Sequence, residues 1–185
     1  MPRIPPPSTE RINLVIMFRC FLFSLICVVL SACVCPKTTV CFTPGENCAN
    51  QIIDAINRAE ESVLVQAFEF TSRPIARSLI QAKERGVNVK VILDESQVQS
   101  KYSVINELFQ QKIPIWIDYK PAIAHSKLMI IDNRKIITGS FNFTYSAESR
   151  NAENLLIIEN NDSLVKQYVK NWKNRQSQSR LYQPV

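Results

Sequence analysis

The chain has 185 residues, of which 46% are hydrophobic, a size and composition that fit one globular domain with a buried core, although the N-terminus inflates the figure. The net charge is +6, with +2 of it before Val34 and about +4 after, which favours anionic partners such as nucleic acid or an anionic membrane surface and fits a generally basic soluble protein equally. His125 is the single histidine and no cysteine lies beyond Cys48, so a zinc-type ligand cluster is excluded from the rest of the chain, and neither metal nor cofactor is expected.

Residues 1–10 are Pro-rich and polar, a composition expected to stay disordered. Arg11 and Arg19 flank a short apolar run, and residues 20–35 are uncharged and apolar. Positive residues followed by such a run, ending in small residues, describe a secretory signal. The run is short for a spanning helix, though it can anchor with help from residues 14–18. Leu30-Ser31-Ala32-Cys33 also resembles a bacterial lipoprotein box, in which Cys33 would carry lipid. The expectation is an exported protein: periplasmic, secreted, or held at the membrane by an uncleaved or lipidated N-terminus. Residues 1–36 are the signal or anchor, 37–176 the catalytic domain and 177–185 a frayed tail.

All six cysteines (Cys20, Cys27, Cys33, Cys35, Cys41 and Cys48) fall in the N-terminal part. Cys41 and Cys48 flank the turn signal Thr43-Pro44-Gly45. A short disulfide loop in an oxidising compartment and a pair of free thiols both fit.

From Lys37 onward strands and helices alternate. Residues 38–42 read as a short strand. Residues 49–60 form a helix whose Ile52, Ile53, Ile56 and Ala59 make one apolar face. Residues 62–68 are a strand. Ser72 is an N-cap with Pro74 in the first turn, and Ile75, Ala76, Leu79 and Ile80 give the following helix its buried stripe, up to Gly86. Residues 87–93 are a strand, 103–111 a helix and 113–117 a strand. A hairpin over 127–138 follows, then a strand over 153–158 and a helix over 163–175 burying Leu164, Val165, Tyr168, Val169 and Trp172. This order predicts the α/β class: a mixed sheet with helices on both faces.

The chemistry gathers at residues 125–142. His125 stands two residues before Lys127 at the head of the apolar run 128–131, which Asp132-Asn133 ends in a turn. Side chains alternate along a strand, so His125 and Lys127 share one face. After the return strand, Gly139 permits a bend, and Ser140 and Asn142 again stand two apart. An imidazole, an ammonium, a hydroxyl and an amide can converge here, a set that suits a phosphate: one nucleophile or base, one cation and two neutral donors. Asp132 lies an odd number of residues after His125, which favours a supporting role over contact with substrate.

These residues fit the pattern H-x-K-x4-D-x6-G-S-x-N. The pattern resembles the signature of the phospholipase D superfamily, and Asn151-Ala152-Glu153-Asn154 resembles the segment that follows it. The likeness covers about residues 38–175 and is strongest to the short, single-motif bacterial nucleases of that superfamily. It implies that His125 attacks phosphorus to form a phosphohistidine without a metal, and that Glu153 orients the histidine. Lys127, Ser140 and Asn142 would hold the non-bridging oxygens, and Asp132 belongs to the catalytic signature. The superfamily uses two such motifs, so a chain with one implies a homodimer whose second His125 protonates the leaving group. Basic charge, small size and the nuclease-like length put a nonspecific endonuclease on DNA or RNA first. The alternative is a phospholipase D releasing the head group of phosphatidylcholine-type lipids, which wants an apolar entry surface that no extra segment supplies. A non-catalytic phosphate-binding or structural membrane protein is the third reading, and the intact signature counts against it.

Overall fold

The computed structural model describes residues 35–184. The signal or anchor expected over 1–36, with Cys33, lies almost wholly outside the described residues. Eight strands make one sheet: β1 (Lys37–Thr43), β2 (Ser62–Ala67), β3 (Asn88–Asp94), β4 (Ile115–Asp118), β5 (Lys127–Ile131), β6 (Lys135–Gly139), β7 (Glu153–Glu159) and β8 (Arg180–Leu181). Their order is β1-β7-β6-β5-β2-β3-β4-β8. β2, β3 and β4 run parallel, and every other pairing is antiparallel. Among the described residues six helices accompany them: α1 (Cys48–Asn57), α2 (Arg73–Glu84), α3 (Ser96–Gln99), α4 (Ile105–Gln110), α5 (Tyr145–Ser149) and α6 (Asp162–Gln178). This is the mixed α/β sheet read from the sequence.

The two faces of the sheet are covered unequally. One packs against α1, α2, α4 and α5 through residues such as Ile56, Leu79, Leu108 and Ala147. The other packs on α6 through Val165 and Trp172, with Leu64, Ile92, Leu128, Ile130 and Ile136 beneath them. Trp172 is 1% exposed and its indole N–H donates to the Val65 carbonyl at 3.0 Å, so its polar atom is satisfied as its rings are buried. Truncating such a side chain costs about 3–5 kcal/mol.

Asp118, at the end of β4, is buried and forms a two-pronged ion pair with Arg175, which fixes the C-terminal half of α6 to the sheet. Cys41 and Cys48 form a disulfide with Cα atoms 5.7 Å apart, tying β1 to the first residue of α1. Of the two readings left open by the sequence, the bonded pair is the one found.

Three elements differ from expectation. The residues expected to fray beyond Gln176 extend α6 to Gln178 and then pair along β4, Trp116 with Leu181 and Ile117 with Arg180. The Tyr182 ring then packs edge-on to Phe109. Two residues cannot show an alternating pattern, so β8 had no signal. α3 and α5 are single turns, too short for a helical stripe to register.

Candidate active site

The pairing registers bring the reactive residues to one end of the sheet. β5 runs against β2, so Lys127 stands opposite Ala67 at the end of β2. β6 returns along β5 and places Gly139 at that end, opposite Leu155 of β7. The site is therefore built from strand ends and the short segments that leave them.

Gly139 is required there for two reasons. Its φ of +147° is one that side chains rarely adopt, and a Cβ would stand 2.2 Å from the Asn154 carbonyl oxygen. That close approach lets the Asn154 carbonyl accept from the amides of Ser140 and Phe141 at 3.1 and 3.3 Å. The backbone turns there, and Ser140 and Asn142 follow at the same end of the sheet as Lys127.

His125 lies in the segment between β4 and β5 and is exposed. Its ring packs on Phe68, with centroids 4.5 Å apart and planes tilted by 52°. Lys127, at the start of β5, is 7% exposed. Its ammonium donates to the His125 carbonyl at 2.7 Å and lies 5.0 Å from the Phe68 ring centre. Burial lowers the Lys127 pKa below its usual 10.5, and the charges of Glu153 and then Glu69 pull it back up.

Ser140 donates its hydroxyl proton to Glu153 at 2.5 Å and accepts from the Asn154 backbone and side-chain nitrogens at 3.1 and 3.3 Å. Asn151 donates to the other Glu153 oxygen at 3.0 Å. The hydroxyl proton is thus committed to a carboxylate, and donation to a phosphate requires exchange of that partner. Glu153 is bonded to Ser140 and Asn151, whereas the resemblance implied a bond to the histidine. Asn142 carries a buried Oδ1 that has no hydrogen-bond partner among the described residues, which leaves it with bonding capacity in reserve.

Asp132 stands apart from the other five. It lies at the far end of β5, about 15 Å from Lys127 at the rise of an extended strand. Its φ is +52°, and its carboxylate accepts from three backbone amides: Glu60 at 3.0 Å, Glu61 at 2.8 Å and Ser62 at 2.9 Å. The aspartate of the signature fastens the entry of β2 to the hairpin. Of the residues put in the catalytic set from the sequence, Asp132 is the one whose carboxylate is engaged by backbone at the opposite end of β5 from Lys127, in line with the supporting role its odd spacing favoured.

Two features escaped the sequence reading. Phe68 looked like the end of a core strand, yet its ring supports both His125 and Lys127. Beside Phe68 opens a groove of about 560 Å³ whose lining includes Glu95, Val98, Tyr119 and Ile123. Val98, Tyr119 and Ile123 are large and exposed, which gives the groove an apolar lip. It is assembled from three separate stretches, Phe68, residues 94–99 at the end of β3 and along α3, and residues 119–123, so no contiguous motif announces it. Among the described residues no three His, Cys, Asp or Glu side chains are grouped to hold a metal ion.

Residues 52–175 match the family model described as "Cardiolipin synthase, PLD-like domain". The chain belongs to the phospholipase D superfamily. Its superfamily relatives include a protein of Rickettsia felis named phospholipase D, 47% identical over 141 residues that make up 76% of this chain and 70% of that one. A human protein named mitochondrial cardiolipin hydrolase is 33% identical over 128 residues, 69% of this chain and 51% of that one. Among solved structures, the phospholipase D family member Nuc from Salmonella typhimurium superposes with a TM-score of 0.76 at 34% identity, covering 80% of this chain and 99% of that one. As a phospholipase D superfamily member of this kind the chain is a phosphodiesterase, a hydrolase of phosphoric diester bonds.

Proposed function

We propose that this phosphodiesterase works through a phosphohistidine at His125, as a homodimer, and that its preferred substrate is a phospholipid whose head group it releases. The observation that carries the lipid reading is the groove beside Phe68. Its apolar lip of Val98, Tyr119 and Ile123 is the kind of entry surface a lipid substrate wants, and no extra segment of the sequence announced it. The names of the Rickettsia felis and human relatives are in keeping with it.

In the proposed cycle a ring nitrogen of His125 attacks phosphorus while the head-group oxygen departs. The second copy's His125 gives that oxygen its proton. The same imidazole then takes a proton from water, which attacks the phosphohistidine and restores His125. Lys127 and Asn142 hold the non-bridging oxygens as charge builds in the pentacoordinate state. The exposure of His125 suits a shared site, since a buried imidazole would not reach a mate. The Cys41–Cys48 bond fits an oxidising compartment, in keeping with the export expected from residues 20–35.

A second reading, nucleic acid, is favoured by a different observation. Tyr145, three residues past Asn142, is 74% exposed and free to stack on a base, and the chain is net basic. Assays side by side on phosphatidylcholine vesicles, single-stranded DNA and RNA, all in excess EDTA, separate the two. Choline release with little cleavage of nucleic acid is expected. DNA or RNA cleavage without choline release would replace the lipid reading, and steep salt dependence of binding would accompany it. Loss of all activity in EDTA, restored by Mg²⁺ or Zn²⁺, would contradict the phosphohistidine route.

A further inference from the structure

We infer that Asp94 is a positioning residue for the catalytic histidine, acting through the backbone of the segment that carries it; the inference rests on the reading of His125 as the nucleophile. Asp94 is the last residue of β3 and is 4% exposed. One carboxylate oxygen accepts from the Ala124 amide at 2.7 Å, and the other accepts from the Ser96 amide at 3.0 Å. Ala124 immediately precedes His125 and is itself 4% exposed.

A buried carboxylate is costly unless it is bonded, and among the described residues its partners are two backbone amides with no lysine or arginine. A hydrogen bond from an amide to an ionised acceptor is short and about twice as strong as a neutral one, which suits a point where the chain must not drift. The neighbouring contacts complete the clamp. The Lys127 ammonium holds the His125 carbonyl at 2.7 Å, and the Phe68 amide donates to the Ser126 carbonyl at 3.0 Å. Three consecutive residues, 124, 125 and 126, are thereby fixed to the ends of β3, β5 and β2. The imidazole itself is exposed, so its aim depends on this backbone and on the Phe68 ring. A displacement of about 1 Å in a nucleophile costs on the order of a hundredfold in rate.

Asp118 occupies the equivalent place on β4, paired with Asp94 in register. It is spent on Arg175 and on the Lys120 amide. The two aspartates therefore divide the work: one holds α6 and the other holds the histidine segment.

The test uses the one histidine of the chain, whose imidazole carbon-bound protons give a single set of NMR signals. Asp94→Ala and Asp94→Asn are compared with wild type and with Trp172→Phe, which loses the core hydrogen bond from α6 to the Val65 carbonyl. Activity is read on bis(p-nitrophenyl) phosphate, a diester that does not depend on the choice between lipid and nucleic acid. Asp94→Ala is expected to lower kcat at least tenfold with KM within about twofold, and to shift the His125 signals. Asp94→Asn keeps one acceptor and should recover part of the rate. Trp172→Phe should lose melting temperature and leave the His125 signals in place. The inference is overturned if the Asp94 variants fold with kcat and His125 signals unchanged, or if Trp172→Phe moves both equally. Should Asp94→Ala fail to fold, Asp94→Asn alone decides by the same two readouts. The NMR readout needs no turnover, so an error about the nucleophile would show as shifted signals with unaltered rate.

Discussion

The Lys127 ammonium donates to the backbone carbonyl of His125 at 2.7 Å. The cation proposed to hold the phosphate is thus also a brace for the histidine proposed to attack it. Burial lowers its pKa from 10.5 against the attraction of Glu153 and Glu69. Activity needs the protonated form, so it is lost as pH rises through this lowered pKa, earlier than for an ordinary lysine. Lys127→Arg keeps its charge to higher pH, and its alkaline limb should move upward, with a lower plateau because the fork geometry differs. Lys127→Ala should lower kcat/KM by about 10²–10³. Profiles of kcat/KM against pH check this, and an alkaline limb that stays put in Lys127→Arg would assign it to another group.

Asp132 should behave as a structural residue. Asp132→Asn removes charge from three backbone hydrogen bonds and places an amide donor against amide donors. The expected cost is about 1–3 kcal/mol of stability with kcat nearly unchanged. Urea unfolding and steady-state kinetics on one preparation check it; a hundredfold loss of kcat at unaltered stability would return Asp132 to the catalytic set.

Gly139→Ala meets the Asn154 carbonyl from a backbone conformation that alanine resists. The expected loss is on the order of 3 kcal/mol, roughly 10 °C in Tm. Activity should fall further than stability explains, because Ser140 and Asn142 are aimed by this turn. Thermal unfolding and kcat measured below the transition distinguish the two effects.

The disulfide closes a short loop, with a separation of seven residues between Cys41 and Cys48. Constraint of the unfolded chain by such a loop contributes about 2.5 kcal/mol. Thermal scans with and without reductant should differ accordingly, with a Cys41→Ser, Cys48→Ser variant insensitive to reductant.

Most of the sheet was legible in the sequence because its strands and helices are long enough to show period. The apolar faces of α1 and α2, with Ile52, Ile56, Ile75 and Leu79, are buried as read. The site was legible as a spacing, His125 two residues before Lys127, although β5 begins at Lys127 and His125 lies in the segment before it. It was not legible where partners meet across the fold. Asp94 to Ala124, Phe68 to His125, and Ser140 to Glu153 are joined by register and loop path, which local spacing does not encode. Glu153 shows the limit most plainly: resemblance marked the residue, and only the β6–β7 pairing showed that Ser140 is its partner. For Asp132 alternation suggested the opposite face of the strand, whereas the structure separates it along β5, in the turn beyond Ile131 and bonded to the entry of β2.

The central claim is that one phosphate is handled by two histidines from two copies of a chain that has one. Mixing wild type with a growing excess of His125→Asn under subunit exchange, at constant wild-type concentration, tests it most directly. A heterodimer holds one histidine, so activity should fall in proportion to the wild-type fraction as wild-type chains are drawn into heterodimers. Activity that stays proportional to wild-type chain, unaffected by the excess mutant and persisting where sedimentation detects only monomer, would contradict it.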